Sequence, residues 1–352
     1  MTTSDQTEEN VSLDTQSVGR WLAEHVDGFS NATTFTRIGE GQSALSYMIA
    51  NESGYRVVLR RPPIGEPLES AHDMGREFKI LSGLGSVWPK VPRVLGYCDD
   101  IEVTGVPFYV MEFIAGLTIN RLQIAEGMTV DARRACGPSL VTTLLDLQSI
   151  DISSAGLDEL RRPKSFIERQ LRRWTSQWEA QGSRELPEVA QLRDAFLERL
   201  PEERRTVFVH GDYGMHNALF DQDGNVRAVL DWELTTTGDP LADLGQMMAY
   251  WTENGAPARE PNAVFREPVT ELDGFVGAWD LATTYATESD EDISDLDFWV
   301  AFAYWKIAII VEGVYSRWRT DPTNGMGAGE LGAAVPRLAN LALQALESGT
   351  SH

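Results

Sequence analysis

Asp212, Asn217 and Asp231 are oxygen-bearing side chains set in two neighbouring stretches, FVHGDYGMHNALF at 208–220 and VRAVLD at 226–231. Asp212 and Asn217 stand five positions apart, and a strand ending in Asp231 follows fourteen residues after the asparagine. A carboxylate beside an incoming hydroxyl can take its proton, while a carboxylate and a carboxamide supply the hard oxygens that magnesium prefers. Together these types suit phosphoryl transfer, in which a metal bridges phosphate oxygens and neutralises developing charge. Glu233, two residues past Asp231, points to the same side of an extended chain and would reach a second metal directly or through water. His210 joins Asp212 in the catalytic set as a brace for the loop backbone. The plainer alternative is a polar loop capping a sheet, with hairpin aspartates as turn formers; it accounts for each residue singly but not for their joint spacing.

The elements that must position these groups fall into two parts. Residues 1–14 (MTTSDQTEENVSLD) are polar and acidic, without the basic and apolar regions of a secretory signal, and are expected to form a flexible tail. Val18, Trp21, Leu22 and Val26 give one apolar helical face, closed by Gly28. Residues 33–38 (TTFTRI), 45–50 (LSYMIA) and 55–60 (YRVVLR) read as strands of an antiparallel meander, joined by the glycine-rich GEGQSA and by NESG. A helix carrying Met74, Phe78 and Leu81 and two strands at 93–98 and 107–113 complete a first lobe over 15–114.

A second lobe, over 115–347, is mainly helical. Helices are expected at 129–149, where Pro138 predicts a kink or a restart, at 165–181 with Ile167, Leu171, Trp174 and Trp178 on one stripe, and at 188–200. Asp239 caps a further helix with Pro240 at its first position, and a loop-rich insertion follows near 253–270. The most apolar stretch, 298–315, is divided by Lys306 and Glu312 into pieces too short to cross a bilayer, which predicts a core helix. Gly327, Gly329 and Gly332 satisfy G-x-G-x-x-G, but TDPTN before them is a turn, so they read as a loop before the last helix.

With 352 residues and 42% hydrophobic composition the chain can bury a large core. Its 53 acidic against 30 basic residues give a formal charge of -23, a field that repels nucleic acid and anionic membranes, so neither is expected as a partner. Cys98 and Cys136 are far apart and outside any Cys/His cluster, which argues against disulfides and structural zinc and fits a cytoplasmic setting.

The segments HGDYGMHNALF and VLDWELTTTGDPLADLG resemble the phosphotransferase family that includes aminoglycoside phosphotransferases and choline kinase. VVLRRPP at 57–63, SAHDMGREFKIL at 70–81, VPRVLGYC at 91–98 and PFYVMEFIAG at 107–116 support the likeness in the expected order. The nearest branch is the one found alone in actinobacteria and fused ahead of acyl-CoA dehydrogenases in animals. The resemblance covers about residues 18–345. It implies an α+β, protein-kinase-like two-lobed fold, with a small antiparallel-sheet N-lobe and a larger, mainly helical C-lobe, and it implies ATP and Mg2+ as cofactors.

Residue by residue, the likeness makes Asp212 the catalytic base and Asn217 and Asp231 the magnesium ligands. Glu77 becomes the helix carboxylate that orients a phosphate-binding cation, and Glu112 to Ile114 the hinge for adenine. Asp243 takes the place of the buried aspartate that fixes the catalytic loop, a helix-surface charge being its alternative. The turn with Gly39, Gly41 and Ser43, placed before VVLRR, would bring backbone amides to the phosphates. The chain departs from the pattern at Arg60, which takes the usual lysine position, at His216, where relatives carry an acidic residue or glycine, and at Gln148, where a histidine is common.

Arg161, Arg162, Lys164, Arg169, Arg172 and Arg173 form a basic cluster against the acidic background. Arg169, Arg172 and Arg173 share a helical face that could hold coenzyme A phosphates; the alternative is a solvated face paired with nearby acids. The expected function is ATP-dependent transfer to a hydroxyl of a small molecule, hydroxyacyl-CoA-like or amino-sugar-like as in an aminoglycoside. Overall acidity favours the cationic acceptor and the arginine cluster the anionic one. Arg60 leaves open a catalytically weak nucleotide-binding pseudokinase module, against which the complete set Asp212, Asn217 and Asp231 speaks. A scaffold that binds no ATP is the third alternative.

Overall fold

Val, Thr, Tyr and Phe alternating with polar residues favour pleated strands, and the turn formers between them fold the chain back on itself. The computed structural model describes residues 13–39, 44–63, 74–181, 184–202, 204–252, 267–320 and 328–348. The expectations for the tail up to residue 12, Gly41, Ser43, Gly327 and most of the 253–270 insertion lie outside these residues.

The chain divides into two units, Met1–Ala115 with Leu230–Leu234, and Gly116–Val229 with Thr235–His352. The first unit thus ends one residue beyond the expected 114 and also takes a short segment from the middle of the chain. Its elements are α1 (Thr15–His25), β1 (Ala32–Ile38), β2 (Leu45–Asn51), β3 (Arg56–Arg61), α2 (Met74–Gly85), β4 (Val94–Cys98), α3 (Ile101–Thr104) and β5 (Phe108–Glu112). The five strands form one antiparallel sheet in the order β1-β2-β3-β5-β4. Val18, Trp21 and Leu22 of α1 pack into a core with Tyr47, Ile49, Val57, Leu59, Phe108 and Val110. Gly96 permits this packing, because a Cβ there would lie 2.8 Å from the Trp21 ring. The two-residue period of β3 puts Arg60 on the face opposite Val57 and Leu59, whereas Arg61 shares their face and lies buried over the Tyr47 ring.

The second unit contains α4 (Leu122–Glu126), α5 (Val130–Ser149), α6 (Phe166–Gln181), α7 (Pro187–Glu198), β6 (Val207–Val209), β7 (Ala218–Phe220), β8 (Val226–Val229), β9 (Thr236–Gly238), α8 (Leu241–Tyr250), α9 (Ala278–Ser289), α10 (Leu296–Thr320) and α11 (Ala328–Ser348). β6 pairs with β9 and β7 with β8, both antiparallel. The centre is α10, whose Phe298, Trp299, Phe302 and Trp305 are buried; Phe298, Phe302 and Trp305 meet Phe196 of α7 edge-on. By length and composition α10 could span a membrane, but 78% of its apolar window is buried inside the protein. α8 approaches it closely at Gly245, where a Cβ would meet the Trp299 backbone at 2.6 Å.

Two local readings change and a third holds. Pro138 neither ends nor restarts α5, which runs unbroken from Val130 to Ser149. Packing of the neighbouring Gly137 against Leu281 and Trp251 favours the continuous helix over the local proline preference. Gly329 and Gly332 are helical rather than loop, and their missing side chains make room for the Trp318 and Tyr315 rings. Asp239 does cap α8 through a 2.9 Å bond from the Leu241 amide, with Pro240 already in helical conformation one residue ahead of the helix.

Candidate active site

In the first unit, Arg60 is the centre of a buried ionic cluster. Its Nη2 donates to Asp231 Oδ1 at 2.5 Å, its Nε lies 3.4 Å from Glu77 Oε2 on α2, and Glu233 Oε2 is 3.6 Å from Nη2. Tyr109, opposite Arg60 in the β3–β5 register, hydrogen-bonds Glu77, and the Trp232 backbone does the same. Burial opposes the charge on Arg60, yet Asp231 and Glu77 outweigh it and hold the guanidinium firmly protonated. The expected pairing of a β3 cation with the Glu77 carboxylate is therefore present, made by arginine in place of lysine.

Asp231 does not end a strand. β8 stops at Val229, Asp231 has a left-handed backbone (φ 68°), and Trp232–Leu234 form a 3-10 turn. The extended-chain reading of Glu233 is corrected accordingly: its carboxylate faces Arg60 because the backbone turns, and Arg76 donates to its carbonyl oxygen at 2.9 Å. Glu112 closes β5, where its amide and its Oε1 both engage the Arg93 backbone, and Ile114 follows beyond the strand. Gly39 directly follows β1 with φ 75°, a conformation that suits glycine.

In the second unit, the loop after β6 is held from beneath. Asp243 of α8 is buried, and its two oxygens accept the His210 amide at 2.6 Å and the Gly211 amide at 2.8 Å. It is not a helix-surface charge. Burial pushes its carboxyl up, although His210, the two amides and Lys306 favour the ionised form. His210 is itself fully buried, and its Nδ1 lies 3.2 Å from the Asp212 amide that donates to it. It braces the backbone and is too enclosed to meet a substrate, so it leaves the catalytic set. Gly211 supplies the turn with φ 88°.

The Asp212 carboxylate is surrounded by four side-chain donors. Gln246 Nε2 and the Tyr250 hydroxyl reach Oδ1 at 3.0 Å each, while Asn217 Nδ2 at 2.9 Å and His216 Nε2 at 3.2 Å reach Oδ2. This matches the roughly four lone-pair directions of a carboxylate. Asn217 Nδ2 also donates to the Asp212 carbonyl at 2.9 Å, which turns its amide oxygen away as a hard donor. His216 packs edge-on against Tyr250, and Gly214 gives it room, since a Cβ there would come within 2.8 Å of the ring. Gln148 has a structural task, donating to Pro240 O at 2.7 Å and accepting from Tyr285 at 2.6 Å at the start of α8.

Gln246, Tyr250, Tyr109 and Lys306 were not among the sequence candidates. Gln246 and Tyr250 follow Asp243 at i+3 and i+7 in an otherwise apolar helix, a shared polar face that was legible. Lys306 of α10 is buried and donates to Gly211 O. Burial pushes its ammonium down to about 8, against the pull of Asp212 and Asp243 and with Arg173 adding to the push. Because its folded value lies below the unfolded 10.5, its contribution is fullest above that pH and is lost as pH falls towards about 8. The unfolding free energy of the wild type, relative to Lys306→Met, should therefore gain about 3 kcal/mol between those limits. Urea melts of both proteins at about pH 7 and about pH 10 measure it, and parallel behaviour would rule it out.

The basic cluster separates. Arg161 pairs with Asp151 and Asp158. Arg169 donates to Thr237 O at 3.2 Å and to Lys164 O. Lys164, Arg169, Arg172, Arg173 and Ser176 line one open concavity beside α6. Among the described residues no group of three His, Cys, Asp or Glu side chains forms a metal cage.

Comparison with known proteins matches residues 34–271 to the model of the phosphotransferase enzyme family. Acyl-CoA dehydrogenase family member 11 of Rattus norvegicus is 33% identical over 87% of this chain and 40% of its own length. Family member 10 of Mus musculus is 32% identical over 94% of this chain and 30% of its own. The chain thus spans well under half of these relatives. Among solved structures, a Ralstonia eutropha protein assigned as an aminoglycoside phosphotransferase superposes with a TM-score of 0.77 at 26% identity, covering 96% of this chain and 99% of that one. Aminoglycoside phosphotransferase APH(4)-Ia, in complex with ADP and hygromycin B, gives 0.57 at 16% identity over 92% and 98%. The α+β fold is that of the kinase-like phosphotransferases.

Proposed function

From the premise that this chain belongs to the phosphotransferase enzyme family, we propose that it moves the γ-phosphoryl group of ATP to a hydroxyl of an anionic small molecule. The observation that carries the reading is the Asp212 loop: a carboxylate fixed by Asn217, His216, Gln246 and Tyr250 on a backbone pinned by Asp243. As the hydroxyl oxygen bonds to the γ-phosphorus and the bond to the β,γ-bridging oxygen breaks, Asp212 takes the hydroxyl proton and ADP carries the released charge. One of its four donors must yield its place to the substrate. Arg60, oriented by Glu77, is the side chain suited to grip phosphate oxygens.

Magnesium fits the donors that the chain offers. Asn217 presents an amide oxygen, and Asp231 is a carboxylate that already holds a cationic group, the Arg60 guanidinium. These two, with Glu233, would hold the ion, which would supply positive charge to offset that of the phosphates. The complexes of APH(4)-Ia with ADP and AMP-PNP support nucleotide use. The cationic concavity of Lys164, Arg169, Arg172 and Arg173 favours a phosphate-bearing, hydroxyacyl-CoA-like acceptor over an amino sugar, in keeping with the acyl-CoA dehydrogenases among the relatives. One observation favours a second reading, a nucleotide-binding pseudokinase module: Asp231, needed for the metal, is tied to Arg60.

A transfer assay with ATP or GTP and magnesium against hydroxyacyl-CoAs, aminoglycosides and choline separates these readings. Turnover on an acyl-CoA is expected; nucleotide-dependent melting shifts without turnover on any acceptor would select the second. Arg60→Met is expected to raise the KM for ATP by about 10- to 100-fold, the worth of a lost charged hydrogen bond. An unchanged KM would remove Arg60 from the phosphate site.

A further inference from the structure

We propose that Lys306 is a positioning residue, fixing the Gly211–Asp212 peptide by its carbonyl edge and so aiming the Asp212 carboxylate at the acceptor. The inference rests on the reading of Asp212 as the base. The peptide in question is held at both edges, its carbonyl by the Lys306 ammonium and its N–H by His210 Nδ1. The preceding amide, that of Gly211, is held by Asp243. With both peptides clamped and the φ of Gly211 set at 88°, little backbone freedom remains for the direction in which Asp212 leaves the chain.

The setting of Lys306 is otherwise unfavourable to a charge. It stands in the apolar run FWVAFAYWKIAII, is buried, and meets Gly211 O as its one hydrogen-bond acceptor among the described residues. Burying an ammonium with a single acceptor costs stability that an apolar side chain would not, so its presence in a well-packed helix calls for a task. The charges acting on it are Asp212 and Asp243, which favour its protonated form, and Arg173 of α6, which opposes it. Its element is rigid, anchored by the buried Trp299, Phe302 and Trp305 and by the close approach of Gly245. A rigid helix therefore presents one cation to the carbonyl next to the catalytic carboxylate. Lys306 lies outside residues 34–271, the part that matches the family model, so that match assigns it nothing.

The test compares wild type, Lys306→Met and Lys306→Arg in the full chain. The probes are ATP hydrolysis with magnesium, transfer to a hydroxyacyl-CoA, thermal melting, and amide hydrogen exchange read by mass spectrometry. The proposal expects Lys306→Met to lose about 10- to 100-fold in kcat with the KM for ATP changed less than about threefold, the split that marks an effect on the transition state. It also expects exchange across residues 210–213 to quicken by at least about tenfold while α10 keeps its protection. Lys306→Arg, which restores a cationic donor, should recover most of the lost kcat.

A merely structural role predicts instead a lowered melting temperature, faster exchange throughout the second unit and normal activity per folded molecule. That outcome, or unchanged exchange across 210–213, overturns the proposal. Should Lys306→Met not fold, Lys306→Leu, which likewise donates nothing to Gly211 O, takes its place with the same expectations. If the wild type turns over nothing, the phosphotransferase reading falls, and the exchange data still decide whether Lys306 fixes this peptide.

Discussion

Replacing Asp212 with asparagine is expected to lower kcat by about 10²- to 10⁴-fold, the range for loss of a positioned general base. The substitution keeps the shape of the side chain and removes its ability to take a proton. It also converts one carboxylate oxygen into an amide NH2, which then faces either Gln246 and Tyr250 or His216 and Asn217, donors that need an acceptor. Leaving such groups unsatisfied costs about 1–3 kcal/mol, so a modest fall in stability should accompany the loss of turnover. Nucleotide-induced stabilisation should persist, because Arg60, Glu77 and Asp231 form their own cluster. Steady-state kinetics beside thermal melts with and without ATP and magnesium distinguish the two effects. Undiminished turnover would strip Asp212 of its assignment.

Asp243→Ala should be the most damaging change to the second unit. It removes the acceptor of two buried amides, those of His210 and Gly211, and takes away one of the two carboxylates that act on Lys306. Orphaning both amides costs about 2–6 kcal/mol, a large fraction of the 5–15 kcal/mol that holds an ordinary domain together. Urea denaturation of the variant should show the midpoint reduced accordingly, with kcat falling as well because the Asp212 backbone loses its support. A loss below about 1 kcal/mol would show that the loop carries its own conformation.

Much of this is legible in the sequence. The meander of β1 to β3 follows from β-branched strands between turn formers, and the interval between Asp212 and Asn217 carried the chemistry of the loop. Period-two alternation along VVLRR would also have separated Arg60 from Arg61, since only the latter shares the face of Val57 and Leu59. What stayed hidden depended on partners far along the chain. The left-handed Asp231 and the 3-10 turn after it replace the extended chain that the local pattern suggests, although Glu233 still shares the Arg60 side with Asp231, whose ion pair reaches back 171 positions to Arg60. Pro138 reads as an interruption until Leu281 and Trp251 are seen packed on Gly137. Lys306 looks like a blemish in an apolar run because its acceptor lies 95 residues upstream.

The five residues Leu230–Leu234 belong with the first unit although both of their flanks belong with the second. No contiguous fragment ending at residue 115 can therefore reproduce the N-terminal unit. Such a truncation would bury the Arg60 guanidinium with Glu77 alone, deprived of Asp231 and Glu233, and would leave Trp88 without the Trp232 ring that it meets edge-on. Domain dissection, circular permutation or chimera building at that junction must carry this short piece along.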